Sequence, residues 1–399
     1  ALTYLGLISF ARKEYDKAIV YYQRAAKYDS SNYDVYKNLA NAYRKSNNYK
    51  KAIEAAKKSI SINDKNPKAY IILGNIYYEL GKYKKAIKTY RKAIDIAPAN
   101  AAVHYNLGSA LYKKGDEFSA IEYFKKAGTL DKTGEVAYRA YSRIGVLYTD
   151  KKNYSDAEKY LRQAILLRPI DAISRYNLGI SYLRQNKKNE AVKQFEKAAM
   201  VSAKNGNLLE NIGDAFFALK DYDKSLKTYQ DALALNKRNV RMYARIGEIY
   251  YEKKMLDRAF ENYKKVTEIA PTTENARVAY LNMGNILDDM QKYNLAIDYY
   301  KKALTISPKD DTVYYNMGIV YKHASKPDLA IEAWEKASQL NPKNAKPLIA
   351  IADYYYEKNM YDLAQRKLQK IAARWPQDQE TLFKLATVYY KRGMKKFAL

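Results

Sequence analysis

The chain has 399 residues, of which 71 are lysine or arginine and 43 are aspartate or glutamate, so its formal charge is +28. It contains no cysteine, which excludes disulfides, zinc–thiolate sites and cysteine nucleophiles. Hydrophobic residues make up 48% of the chain, yet no run approaches the roughly 18 apolar residues of a membrane span and no secretory signal is visible. This composition predicts a soluble chain with an ample core and no membrane insertion. It does not decide between the cytoplasm and the periplasm.

Residues 67–100 reveal how the whole chain is organised. When this stretch is moved along the sequence in steps of 34, small and aromatic residues recur at fixed places, which is typical of a repeat array. Counted from Pro67 as position 1, small residues stand at position 8 (Gly74) and position 20 (Ala86), aromatic residues at positions 4, 11 and 24, and proline at position 32 (Pro98).

The spacing of these residues predicts two helices in each window. Apolar residues at positions 4, 7, 8 and 11 form one helical face, and those at positions 20, 24 and 27 form a second. The small residues at positions 8 and 20 allow the two helices to approach closely. One such hairpin buries too little surface to be stable alone, so we expect the units to stack.

This pattern resembles the tetratricopeptide repeat (TPR), a helix-turn-helix unit of 34 residues. The resemblance implies an all-α fold, a right-handed superhelical α-solenoid of about twelve tandem units. Alanine occupies position 20 in eleven units, the last being Ala398, and Ser225 replaces it in unit 7. We expect one continuous solenoid over residues 1–399, with units that start near residues 1, 33, 67, 101, 138, 172, 206, 240, 277, 311, 345 and 379.

The regular spacing breaks before units 5 and 9, where three extra residues are inserted. Residues 133–135 match residues 272–274 at an offset of 139, which is four units plus three residues. We expect Thr133 and Thr272 to be N-caps and the insertions to lengthen the following helices by almost one turn. The lengthened helices are either the remnant of an old duplication or a docking ridge, for example for self-association. Because both termini fall inside a unit, we also expect the chain to be a fragment of a longer protein.

The sequence offers no credible catalytic centre. His104 stands at position 4, where the pattern places a packed aromatic residue, so we expect a buried core histidine. His323 lies near the end of a first helix without any residue that resembles a metal partner. The glycines are explained by helix packing or by helix ends, as at Gly81, and not by a phosphate-binding loop. We therefore predict a protein that is not an enzyme and that has no cofactor or metal.

In the TPR family, positions 2, 5, 6, 9, 12 and 13 of the first helix line a concave groove where partner segments bind. The resemblance therefore implies a binding groove along the first helices of this chain. Tyrosine at these positions offers a large apolar contact with a polar tip, which suits a peptide partner; the alternative is that the tyrosines only cover neighbouring helices. The candidates are Lys37, Asn41, Asn75, Tyr78, Tyr105, Asn106, Tyr112, Arg139, Arg143, Tyr176, Asn211, Arg241, Arg245, Tyr251, Tyr315 and Tyr356.

Charge divides this groove into two halves. The groove positions of units 2 to 6 carry eight basic and three acidic residues, and those of units 7 to 11 carry four basic and eight acidic residues. This distribution favours a partner segment with an acidic portion at one end and a basic portion at the other. Most of the remaining positive charge must lie on second helices and loops, where solvation is its default explanation.

Some TPR proteins hold a C-terminal carboxylate with lysine, asparagine and basic residues from three successive units. Here Asn75, Asn106, Arg139 and Arg143 stand at the matching places, but Ile71 replaces the first lysine and the insertion before unit 5 interrupts the spacing. Arg139 and Arg143 lie one helical turn apart, so this pair is predicted to hold a carboxylate or an acidic side chain.

Three classes of function compete. The leading hypothesis is a non-catalytic scaffold that binds an extended or helical segment of another protein, within a large bacterial assembly such as an envelope or flagellar-motor structure. The alternative is a helical repeat protein that binds nucleic acid weakly and salt-dependently through its basic convex surface. The third is an accessory domain of an enzyme whose catalytic part lies elsewhere.

Overall fold

The computed structural model describes residues 1–394 and residue 396, and Ala398 lies outside these residues. The described residues form 23 α-helices and no strand. The chain divides into two compact units, Ala1–Ala203 and Lys204–Leu399, which we call the N-terminal and C-terminal blocks.

The N-terminal block is built from six helical hairpins. Its helices are α1 (Leu2–Ala11), α2 (Tyr15–Tyr28), α3 (Tyr33–Lys45), α4 (Tyr49–Ile62), α5 (Pro67–Glu79), α6 (Tyr83–Ile96), α7 (Ala101–Lys114), α8 (Glu117–Asp131), α9 (Glu135–Asp150), α10 (Tyr154–Leu167), α11 (Ala172–Arg184) and α12 (Lys188–Val201). Each odd-numbered helix is the first helix of a hairpin and packs against the even-numbered helix that follows it.

The C-terminal block continues the same alternation. Its helices are α13 (Gly206–Ala218), α14 (Tyr222–Leu235), α15 (Val240–Glu252), α16 (Leu256–Ile269), α17 (Glu274–Asp289), α18 (Tyr293–Ile306), α19 (Asp311–His323), α20 (Pro327–Leu340), α21 (Lys346–Glu357), α22 (Tyr361–Arg374) and α23 (Gln379–Lys391). The all-α stack of helical hairpins that the repeat predicts is therefore present in each block. None of the described helices is long and apolar enough to cross a membrane.

Short turns between the two helices of each hairpin contain one residue in the left-handed conformation. Gly81 (φ +69°) and Gly115 (φ +93°) meet this requirement without a steric penalty. Other hairpins place a residue with a side chain at the same point, such as Asn47 (φ +59°) and Lys152 (φ +60°). The turn geometry is therefore common to the repeats, although glycine is not.

The helices of a hairpin approach closely because the aromatic ring at position 24 lies on the backbone at position 8. A Cβ atom added to Gly74 would come within 2.5 Å of the Tyr90 ring, which is only 1% exposed. Three units lack an aromatic residue at position 24, and two of them carry alanine at position 8, as in the pair Ala40 and Ala56. The third keeps glycine, because a Cβ atom added to Gly145 would come within 2.4 Å of the Leu161 side chain. The predicted small residue at position 8 is thus explained by the side chain at position 24 that covers it, which is an aromatic ring in most units.

First helices of neighbouring hairpins contact one another within each block. In the N-terminal block α1 contacts α3, α3 contacts α5, α5 contacts α7, α7 contacts α9 and α9 contacts α11; in the C-terminal block α15 contacts α17 and α17 contacts α19. Within the described residues, no contact of comparable extent joins successive second helices. The first helices therefore form the inner side of each stack and the second helices the outer side.

Helices α9 and α17, which follow the two insertions, have 16 residues each, compared with 13 in α5 and α11. The predicted lengthening is confirmed, but both predicted caps are wrong. At α9 the Asp131 carboxylate accepts hydrogen bonds from the amides of Val136 (2.8 Å) and Ala137 (3.1 Å), so Thr133 is not needed. At α17 the N-cap is Thr273 and not Thr272, since the last extended residue before the helix is Thr273.

Candidate functional site

The sixteen predicted groove residues all lie on first helices, on the inner sides of the two blocks. The N-terminal block holds ten of them, on five helices: α3 carries Lys37 and Asn41; α5 carries Asn75 and Tyr78; α7 carries Tyr105, Asn106 and Tyr112; α9 carries Arg139 and Arg143; and α11 carries Tyr176. The C-terminal block holds the other six, Asn211, Arg241, Arg245, Tyr251, Tyr315 and Tyr356. The structure brings only some of them together.

Four of these residues form one group, which we call the tyrosine–arginine cluster: Tyr78, Tyr105, Tyr112 and Arg143. The Arg143 guanidinium carbon lies 5.7 Å from the centroid of the Tyr112 ring, within cation–π range. Burial raises the pKa of Tyr78, and the positive charge of Arg143 partly opposes this rise while Tyr105 adds to it. Both residues are therefore within electrostatic reach of the Tyr78 hydroxyl.

The cluster combines packed and accessible surface. The three tyrosines are half-buried, because the ring of Tyr78 packs edge-on against Tyr83 (5.6 Å) and that of Tyr105 lies 5.3 Å from Phe124. Arg143 is exposed. Among the described residues it has no acidic partner, so its charge is free to meet a carboxylate.

Arg139 differs from Arg143, although the sequence presents them as a pair. Its Nε atom lies 2.9 Å from Glu135 Oε1, one turn earlier on α9, and Arg168 approaches the same carboxylate at 3.6 Å. Glu135 belongs to the three-residue insertion, so this insertion neutralises one member of the predicted carboxylate-binding pair. Glu135 stands four residues before Arg139 in the sequence, and this spacing on a helix predicts the contact.

Asn75 and Asn106 come together, but they bond to each other. Asn75 Oδ1 accepts hydrogen bonds from Tyr90 Oη (2.7 Å) and from Asn106 Nδ2 (3.2 Å), which links two successive first helices to a second helix. The same network recurs in the C-terminal block, where Asn285 Oδ1 accepts from the side chains of Tyr300 and Asn316. The sequence analysis missed this network, which is signalled by asparagine at position 9, tyrosine at position 24 and asparagine at position 6 of the next unit.

The remaining candidates on α3 are also engaged within the fold. Lys37 forms an ion pair with Asp34, and Asn41 Oδ1 accepts a hydrogen bond from Arg44 Nη2 at 2.9 Å. Arg44 in turn reaches Glu79 on the next first helix at 2.5 Å.

The candidate on α11 packs against an aromatic residue of the following helix. The Tyr176 ring lies 5.9 Å from the Phe195 ring.

In the C-terminal block the candidate arginines are held by acidic residues. Arg241 contacts Glu210 (2.7 Å) and Asp214 (2.6 Å), and Arg245 contacts Glu248 (2.8 Å). Asp214 also accepts a hydrogen bond from Tyr229 Oη at 2.5 Å. Burial, followed by this carboxylate, raises the pKa of the Tyr229 hydroxyl.

The other candidates of this block make separate contacts. Tyr251 Oη donates a hydrogen bond to Asp289 (2.6 Å), and burial together with that carboxylate raises the pKa of Tyr251 to about 12. The Tyr356 ring lies 5.5 Å from Tyr361, and burial raises the pKa of Tyr315. Asn211 is exposed on α13.

Several acidic groove residues of units 9 to 11 also have basic partners. Three such contacts join successive first helices: the ion pairs of Lys322 with Glu357 (2.7 Å) and of Asp353 with Lys384 (2.6 Å), and the contact of His323 Nδ1 with Asp288 (2.8 Å). Lys384 lies outside the groove positions counted in units 7 to 11, so its pair with Asp353 offsets part of the acidic excess counted along the sequence.

The two histidines occupy different settings. His104 is fully buried, as expected; its Nε2 atom lies 2.8 Å from the Pro98 carbonyl oxygen, whereas its Nδ1 atom has no partner. Burial lowers the pKa of His104. Within the described part of the chain, no group of three or more histidine, aspartate or glutamate side chains is arranged to hold a metal ion.

Several family models match parts of the chain, and several solved structures are similar to it. The model of the "Cilia and flagella-associated protein 70 C-terminal domain", a TPR domain, matches residues 54–278, and a model of "Anaphase-promoting complex, cyclosome, subunit 3" matches residues 11–93. The tetratricopeptide repeat model itself matches residues 278–310 and 312–344. No curated protein matches the chain.

Among solved structures, yeast Tom70 is 18% identical over 99% of this chain and 96% of its own, with a TM-score of 0.41. YrrB, described as a TPR protein with an unusual peptide-binding site, is 22% identical over 47% of this chain and 95% of its own (TM-score 0.40), and MamA is 24% identical over 44% and 94% (TM-score 0.39). Since one family model covers more than half of the sequence and the helices repeat as its pattern requires, the chain belongs to the tetratricopeptide repeat family, through the model of the C-terminal TPR domain of cilia and flagella-associated protein 70.

Proposed function

We propose that this protein is a non-catalytic scaffold that binds an extended or helical segment of another protein on the inner side of its N-terminal block. The observation that supports this proposal is the tyrosine–arginine cluster. It combines three half-buried tyrosines with an exposed arginine that has no acidic partner among the described residues.

The chemistry of the cluster defines the partner segment. Tyrosine rings bury a large area at a small entropy cost and keep a hydroxyl for hydrogen bonding, so they suit an apolar or aromatic side chain. Arg143 suits a carboxylate, which its planar guanidinium binds through two parallel hydrogen bonds. We therefore assign to the partner an acidic group next to an apolar side chain.

The two blocks give the partner a polarity. Free positive charge on the inner side of the N-terminal block suits the acidic portion of the segment. In the C-terminal block Arg241 and Arg245 already face carboxylates, so a second acidic anchor is not expected there. A basic portion of the partner would meet the remaining acidic residues of that block.

We extend the proposal to a place in a large bacterial assembly. Helices α9 and α17 repeat the same lengthened form, and the insertions before them lie 139 residues apart in the sequence. They offer two equivalent positions at which neighbouring subunits, including other copies of this chain, would dock.

The test is a selection of random peptides displayed on phage against the full chain at about 0.15 M ionic strength. We expect the selected peptides to carry an acidic residue beside an aromatic or apolar one. Arg143→Glu should then weaken the best peptide at least about tenfold, because it removes a charge-assisted bond and adds a repulsion. Binding is measured by fluorescence anisotropy of the labelled peptide.

Arg139→Glu is the matched control, since it makes the same charge change one turn away on the same helix. Because Arg139 is already neutralised by Glu135, we expect its replacement to weaken the peptide much less than that of Arg143. Equal losses in the two variants would show that general charge attracts the peptide. Selection of no peptide would contradict the proposal itself.

A further inference from the structure

Five lysines surround one open depression on the N-terminal block. The depression lies between the turn that joins α5 to α6 and the end of α7, and it has a volume of about 490 Å³. We call it the lysine depression; it is lined by Gly81, Lys82, Tyr83, Lys84, Lys85, Lys113 and Lys114. It does not include any residue of the tyrosine–arginine cluster.

Most of the positive charge of the depression is not compensated by carboxylates. No carboxylate lines it, and among the described residues none of its five lysines forms an ion pair. Three acidic residues stand close to these lysines in the sequence. Glu79 contacts Arg44 at 2.5 Å and Glu117 contacts Lys151 at 2.7 Å. Asp116 caps α8, and its pKa is lowered mainly by its hydrogen bonds to Ser119, with a smaller contribution from the charge of Lys114.

The surrounding sequence increases this charge. Residues 51–100 contain 11 basic and 4 acidic residues, a difference of +7 within the total of +28. Lys88, Arg91 and Lys92 are exposed on the next turns of α6. Like charges that converge without partners repel one another, and this repulsion is relieved when an anion binds between them.

An equivalent depression in the C-terminal block shows that the shape belongs to the repeat and the lysines do not. It has a volume of about 520 Å³ and is lined by residues 291–295 and 323–326. Only two of its lining residues are lysines, Lys292 and Lys326, and Lys326 Nζ donates to Asn294 Oδ1 at 3.4 Å. The concentration of five lysines is therefore particular to the N-terminal block.

We propose that the lysine depression is a binding site for a densely phosphorylated small anion, such as a phosphorylated inositol ring, taken either free or as a lipid headgroup. Lysine ammonium groups are compact point charges with three rotatable donors, so several of them adapt to several phosphates at once. A cavity of this size matches a small ligand, and not a long polymer, as the unit that is recognised.

The surroundings argue against recognition of nucleic acid bases and against membrane insertion. Tyr83, the one aromatic residue that lines the depression, is not fully exposed, so it offers little surface for base stacking. Between residues 81 and 96 the only exposed large hydrophobic residue is Ile96, which is 36% exposed. The site therefore recognises phosphate groups through charge.

The experiment titrates the full chain with inositol hexakisphosphate by isothermal calorimetry at about 0.15 M ionic strength. We expect Lys84→Glu/Lys114→Glu to weaken binding at least about tenfold, because it places two negative charges beside the ligand. The matched control is Lys292→Glu/Lys326→Glu, which changes the net charge by the same amount in the equivalent depression. It should weaken binding less than about threefold, and circular dichroism checks that both variants fold.

Further measurements distinguish the two sources of the ligand. If the ligand is a lipid headgroup, vesicles that contain phosphatidylinositol 4,5-bisphosphate should retain the chain better than phosphatidylserine vesicles of equal charge. If neither kind of vesicle retains the chain but inositol hexakisphosphate binds, the ligand is a free anion. Absence of binding to both the free compound and the vesicles would overturn the proposal. So would equal weakening by the two double variants, or tighter binding of duplex DNA that both variants weaken equally.

Discussion

The two blocks share one hairpin architecture, but they differ in the pairing of individual basic side chains. On the inner side of the N-terminal block Arg143 has no acidic partner in the described chain, whereas Arg241 and Arg245 of the C-terminal block lie within 3 Å of carboxylates. The lysine depression and its counterpart differ in the same way, with five lysines in one and two in the other. A position within the repeat therefore predicts where a side chain lies, but its neighbours decide whether it is available for a ligand.

The largest expected effect tests what the blocks share, the ring packed at position 8. We expect Gly74→Ala in the N-terminal block and Gly213→Ala in the C-terminal block each to lower the free energy of unfolding by about 3 kcal/mol. In both cases the new Cβ would lie too close to a buried ring, at 2.5 Å from Tyr90 and 2.6 Å from Tyr229. Urea unfolding followed by circular dichroism measures the loss.

The control for this prediction uses the pairing of alanine with smaller side chains that occurs elsewhere in the chain, as at Ala40 and Ala56. Tyr90→Ala alone should destabilise the fold by creating a cavity, and adding Gly74→Ala to it should cost much less than Gly74→Ala costs in the natural chain. If the two costs are equal, the ring is not the reason for glycine at position 8.

These packing rules were the part of the structure that the sequence predicted best. The 34-residue spacing identified the hairpins, their small contact residues and the lengthened helices α9 and α17, because each follows from periodicity along a single stretch. It did not predict the caps, since Asp131 reaches past Thr133 to the amides of α9.

The availability of the groove residues was harder to predict from the sequence. The Glu135–Arg139 contact is local and was readable. The partners of Arg241, in contrast, are Glu210 and Asp214, which stand 31 and 27 residues earlier. Such a contact depends on the register between successive hairpins, and a count of charges along the groove cannot reveal it.

The second prediction tests the difference in charge pairing directly. Arg241→Ala should lower the free energy of unfolding by about 2 kcal/mol, because it leaves the Glu210 carboxylate, which is 8% exposed, without its ionic partner. Arg143→Ala should change it by less than about 1 kcal/mol, since Arg143 is exposed, has no acidic partner among the described residues and loses only its contact with the Tyr112 ring. Urea unfolding measures both values. A similar loss in the two variants would mean that Arg143 has a structural role and is not reserved for a ligand.

The smallest effect concerns His104, a buried group of the N-terminal block. Burial lowers its pKa in the folded chain below the ordinary value of 6.5, so the folded state holds it neutral while the unfolded state binds a proton more readily. Its contribution to stability is therefore complete above pH 6.5 and is lost as the pH falls below this value, by at most about 1.4 kcal/mol per pH unit. Unfolding in urea at a series of pH values between 5 and 8 measures this slope.

The variant His104→Tyr removes the titrating group. It introduces the residue that stands at position 4 of the preceding and following units, Tyr70 and Tyr141. The groups that face His104 are Tyr123, which stacks on its ring at 5.9 Å, and Lys126, whose positive charge further lowers the pKa of His104. Because acidic residues also titrate in this range, the informative quantity is the difference in slope between the natural chain and the variant. If the two slopes coincide, protonation of His104 does not oppose folding, and its Nδ1 atom must find a partner as the proton binds.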